Sequence, residues 1–91
     1  MENVVESIPM SLRGEISKKL IEIVLGAHGK STISTELAKK IIYLWRQDQL
    51  TTPTGLMALF EAAVSVDTGV TFAAFDELGL HQVALAFQRT S

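Results

Sequence analysis

The eleven residues LMALFEAAVSV, Leu56 to Val66, limit what this chain can become more than any other stretch. Nine of them are apolar, and only Glu61 and Ser65 are polar. A helix that is apolar nearly all round has no broad face to offer water, so other helices have to enclose it. The residues before it mark its start. Thr52 supplies a side-chain oxygen for the unpaired N–H groups of the first turn, and Pro53 takes the first helical position, where its missing N–H does no harm. The segment is expected to be the central helix of a bundle, with Leu56, Leu59, Phe60, Ala63 and Val64 buried. Glu61 belongs on the stripe left to solvent or to a lysine partner.

Helical spacing recurs on both sides of this segment. Leu12, Ile16, Leu20, Ile23, Val24 and Ala27 share one face of a first helix, with Ser11, just after Pro9, as its expected N-cap and Gly29 as its stop. Gly14 weakens the first turn of that helix by about 1 kcal/mol. Ile33, Leu37, Ile41, Leu44 and Trp45 form a second stripe, with Ser31, Thr32 or Ser34 available as cap. Asp67 or Thr68 can cap a short fourth helix lined by Phe72, Phe75 and Leu78, and Gly79 breaks it. Leu80, Val83, Ala84 and Phe87 give a last stripe. No stretch alternates with period two, and no Asn-Gly or Asp-Gly hairpin signal occurs. There is no repeat and no linker. The expected fold is therefore all-α, a compact bundle of four to five helices with an apolar central third helix. Residues 1–91 form one domain, and 1–10 are expected to be a loose N-terminal segment.

Composition narrows the functional classes. Charged residues are 20% of the chain and apolar ones 47%, against about 25% charged in an average domain. The chain has more apolar surface to hide than ions to cover it. The net charge of −2 argues against a dedicated nucleic-acid binder. The charge is uneven, however. Residues 1–46 hold seven of the eight Lys and Arg against five Asp and Glu, about +2, while 47–91 hold one against five, about −4. The absence of cysteine removes disulfides, thiolate metal sites and thiol catalysis. MENVVESIPM is acidic and lacks a long apolar run, and Glu22, Glu61 and Asp76 interrupt every candidate membrane span. The expected location is the cytoplasm, with no membrane partner.

LGAHGKST, Leu25 to Thr32, ends like a phosphate-binding loop. That loop needs G-x-x-x-x-G-K-[ST] after a strand, so that successive N–H groups wrap the phosphates. Here the first glycine would have to stand at Val24, and the segment follows a helix pattern. It is expected to be a helix stop followed by a hydroxyl-rich helix start. His28 and His81 are the only histidines, and neither has a second ligand-type partner at i+3 or i+4. Asp76 and Glu77, with Asp67, could attract a cation but lack the order of a calcium loop and are expected on a solvated face. Trp45 and Tyr43 have no basic interleaving, and Trp45 is expected in the core stripe. No residue is singled out as catalytic, cofactor-binding or metal-binding.

The run TELAKKIIYLWRQDQLTTPTGLMALFEAAVSVD, with the later FDELGL, resembles small uncharacterised archaeal proteins across roughly positions 32–87. That resemblance implies a compact four-helix-type bundle and carries no catalytic residues. Separately, LGLHQVALAF is similar to the helix-Gly-helix corner of sterile-alpha-motif interaction domains, at Leu78, Gly79, Leu80, Val83 and Phe87. It points toward interaction modules.

The apolar excess and the lack of a reactive constellation favour a non-enzymatic module for protein–protein interaction or self-association. Ile21 and Leu25 lie opposite the first helix's own stripe, as do Ile42 on the second helix and Leu85 on the last, at 100° per residue. These four are the candidate interface, most simply of a two-fold homodimer, with Lys18 and Glu22 as its polar rim. Two alternatives are a nucleic-acid accessory protein using Arg13, Lys18, Lys19, Lys39, Lys40 and Arg46 of the first two helices, and a small-ligand or metal-binding bundle.

Overall fold

A computed structural model describes residues 5–26 and 33–90. They form five helices: α1 (Met10–Gly26), α2 (Thr35–Arg46), α3 (Pro53–Val66), α4 (Thr68–Glu77) and α5 (His81–Thr90). No strand occurs among the described residues. The GKST run, His28, and the expected stop at Gly29 lie outside the described residues, as do Ser31 and Thr32.

α3 occupies the centre. It packs against α1, α2 and α4, and Phe60 brings α5 to it through Phe87, at 5.4 Å between ring centroids. Leu56, Leu59, Phe60 and Ala63 are all buried, while Val64 is only partly so. Phe60 also meets Phe72 at 6.2 Å and Phe75 at 5.7 Å, both edge to face. That geometry places the positive ring edge against the negative face and adds about 0.5–1.5 kcal/mol per pair beyond area burial. The four phenylalanines thus tie α3, α4 and α5 into one cluster.

Local chemistry sets most helix ends. The Thr52 hydroxyl accepts from the Gly55 N–H at 3.1 Å and donates to the Gln49 carbonyl at 2.7 Å. Ser34 caps α2 by accepting from Leu37 N–H. Asp67 ends α3 and caps α4 at once, its carboxylate accepting from Val70 N–H at 2.9 Å. Thr71, fully buried, donates to the Asp67 carbonyl. α4 is stopped by Gly79, with φ +71°, where Gly79 N–H donates to the Asp76 carbonyl and Leu80 N–H to the Phe75 carbonyl. This is a Schellman stop, with Leu80 and Phe75 both buried beneath it. α2 ends on the same pattern with Asp48, at φ 55°, in the left-handed position that glycine usually takes.

Besides Val64, three expectations change. α1 begins at Met10, and the Pro9 carbonyl accepts from Leu12 and Arg13, so Ser11 lies inside the first turn rather than capping it. The segment 1–10 is not loose where it is described: Val5 and Ile8 are buried in the core, and Arg13 donates to the Ile8 carbonyl at 3.1 Å. Trp45 is 61% exposed, because α2 rests on α3 through Leu44 and turns Trp45 away.

Gly55 is required by a close approach. A Cβ there would overlap the Gln49 carbonyl oxygen and come within 2.7 Å of Leu50 Cα, since the α2–α3 connection crosses the first turn of α3. Gly14, by contrast, has nothing within 4 Å of that position. Gly55→Ala should therefore destabilise by about 2 kcal/mol or more despite alanine's higher helix propensity. Gly14→Ala should stabilise by about 0.5–1 kcal/mol. Phe60→Ala should lose about 3–5 kcal/mol, much of the ~5–15 kcal/mol that holds a domain together. Urea unfolding of the three variants checks signs and order.

Candidate functional site

The site starts from what α2 leaves uncovered. Its apolar residues Leu37, Ile41, Leu44, Trp45, Ala38 and Ile42 span a broad arc at 100° per residue. Leu44 at one side of the arc is buried against α3, and Leu37 and Ile41 pack partly on the core. Trp45 and Ile42, on the other side, are 61% and 47% exposed. α2 packs extensively only against α3, and so does not close down on α1.

The result is an apolar groove of ≈ 300 Å³ between the two helices. α1 contributes Ile21, Val24 and Leu25, and α2 contributes Ala38, Ile41, Ile42 and Trp45. Leu59 of α3 and Leu50 of the α2–α3 connection complete it below, with Ile33 at the approach to α2. Ile33 and Ala38 flank the Ser34 cap at the two positions of a hydrophobic staple.

Three of the four candidate interface residues, Ile21, Leu25 and Ile42, therefore line one surface. Ile21 is partly buried against the core, while Leu25 is 62% exposed. Leu85 does not join them. It is half-buried on α5, a helix whose extensive packing is with α4. The larger exposed member, Trp45, lines the groove rather than the core stripe that its spacing predicts, and its neighbour in the arc, Ala38, belongs to the groove as well.

Glu22 faces elsewhere. With Lys19, Ile23 and Glu77 it lines a shallow depression between α1 and α4, so it is not part of the groove's rim. There Lys19 Nζ donates to Glu77 at 2.7 Å. This bond and the carboxylate's charge hold the Lys19 ammonium above its ordinary value of 10.5. Its contribution to stability is accordingly present below pH 10.5 and lost as pH rises through the raised value. An exposed pair of this kind adds little.

The acidic candidates are divided among separate partners. Asp76 meets His81 Nδ1 at 2.6 Å across the Gly79 corner, Glu77 meets Lys19, and Asp67 caps α4. His81 also packs edge-on to Phe72 at 6.3 Å. Among the described residues no group of three or more His, Cys, Asp or Glu comes together. Glu61 is exposed. No described helix is long and apolar enough to cross a membrane.

No protein-family model, curated protein or solved structure matches the chain. The resemblances to archaeal bundles and to the sterile-alpha-motif corner thus rest on sequence pattern alone, and the groove itself carries the functional reading.

The two adjacent residues of α2 give a direct check on this geometry. Leu44→Ala should destabilise by about 2–5 kcal/mol, whereas Trp45→Ala should change stability by about 1 kcal/mol or less. Thermal unfolding of both variants measures the contrast, which is the reverse of what side-chain size alone would give.

Proposed function

We propose that the chain is a non-enzymatic helical module of the cytoplasm, which associates with a protein partner or a second copy of itself through the groove between α1 and α2. One observation carries this: Leu25, Ile42 and Trp45, from two helices, stand more than two-fifths exposed around a single apolar depression. Scattered exposed apolar residues need no explanation, but a contiguous set marks an interaction surface.

A small apolar ligand is the second reading that the groove supports. Pockets for such ligands enclose most of the molecule they hold. Leu25 and Trp45 keep more than half of their surface in solvent, which suits a partner's surface better. The nucleic-acid alternative is weakened because Arg13 reaches back to the Ile8 and Glu6 carbonyls and Lys19 is paired with Glu77. Lys18, Lys39, Lys40 and Arg46 remain exposed, and a steep salt dependence of DNA binding would be the signature of that role.

Light scattering from micromolar to millimolar protein reads self-association. Titration with a helical peptide carrying leucines at i, i+3, i+4 and i+7 reads partner binding. Leu25→Lys combined with Ile42→Lys should weaken whichever occurs by at least ~10-fold. Helicity and thermal midpoint should hold, since Leu25 is 62% and Ile42 47% exposed. Association that survives in the double variant, or a wild type that stays monomeric and binds no such peptide, rejects the proposal.

A further inference from the structure

The charged residues that helical spacing sets nearest the groove's apolar rows are mainly basic. On α1, Lys18, Ile21 and Leu25 stand at i, i+3 and i+7, so the lysine ends the apolar row that lines the groove. On α2, Lys39, Ile42 and Arg46 have the same spacing, with a basic residue at each end of the row. All three cations are exposed. Glu15 and Glu22 stand one turn either side of Lys18 on α1, and Glu22 also lines the depression shared with Lys19 and Glu77. On α2, Glu36 lies about 120° round the helix from Ile42.

From this we infer that the groove's occupant is an amphipathic helix of another protein, its apolar stripe bordered by Asp or Glu. The inference rests on the interaction surface proposed above and names the partner class for it. The groove runs along about two turns of α2, from Ala38 to Trp45, roughly 10 Å of helix. A helix presenting i, i+3, i+4 and i+7 anchors fills a channel of that kind. Acidic flanks on that helix meet Lys18, Lys39 and Arg46, which sets partner choice and orientation. A second copy of this chain, apposed groove to groove about a two-fold axis, would instead bring two sets of the same three cations together. That juxtaposition works against a dimer through this surface.

Two synthetic helical peptides with the same leucine stripe, one flanked by glutamate and one by lysine, test the inference. Trp45 is the chain's single tryptophan and lines the groove, so its emission reports occupancy. The glutamate peptide should bind at least ~10-fold more tightly at low salt and shift Trp45 emission to the blue, and the preference should shrink as salt is raised. Lys39→Glu with Arg46→Glu should reverse the preference while the circular dichroism spectrum is retained. Equal binding of the two peptides would overturn the inference, as would a preference unmoved by the charge-reversed variant. Self-association through the groove with neither peptide bound would overturn it too, and would leave the interaction module standing. A monomer that binds neither peptide would reject both.

Discussion

The enclosure of α3 is the constraint on which the other four helices depend. With Leu56, Leu59, Phe60, Ala62 and Ala63 all buried, its apolar surface has to be covered from several directions at once. α1, α4 and α5 meet this demand together with the α2–α3 connection, which approaches so closely at Gly55 that no side chain fits there. The phenylalanine cluster then fixes how α4 and α5 turn, through the tight stops at Asp67 and Gly79. The N-terminal Val5 and Ile8 close a remaining gap.

The same constraint accounts for the groove. α2 reaches the core along one side of its arc, through Leu44, Leu37 and Ile41, because α3 is already covered on its other sides. An arc of α2 wider than that contact leaves Ile42 and Trp45 outside, facing Ile21, Val24 and Leu25 across the depression. Hydrophobic burial therefore holds α2 in place while withholding part of its apolar surface. A surface left open on these terms is stabilised by whatever covers it.

Most features that live within one turn of chain were legible in the sequence, the start of α1 at Met10 and the stop at Asp48 being exceptions. Thr52 and Gly79 act on N–H or carbonyl groups a few residues away and are found by residue type at a given offset, which narrows the other two caps to Ser31, Thr32 or Ser34 and to Asp67 or Thr68. The central helix was equally plain, since near-uniform apolarity admits one environment. What covers an apolar face is a different matter, because that depends on how separate helices meet. Spacing put Trp45 in the stripe with Leu44, yet only their contact with α3 separates the buried residue from the exposed one. Leu85 was grouped with Ile21, Leu25 and Ile42 because each lies opposite its own helix's stripe, a property that does not place different helices on one surface. Gly55 gave a signal only as a glycine inside a helical pattern, and Asp48 only as an aspartate in RQDQL. Val5 and Ile8, three residues apart and so on one side of a helical turn, were the available hint that this segment packs.

Native-state hydrogen exchange tests most directly the claim that α3 is the enclosed hub and that α2 is anchored extensively on it alone. The amides of Leu56 to Ala63 should exchange only through global unfolding, with protection equal to the stability measured by denaturant. Those of Ile41 to Arg46 should open at lower free energy, and should gain protection when the groove is filled. Amides of α2 protected to the same level as those of α3 in the free protein would contradict the account.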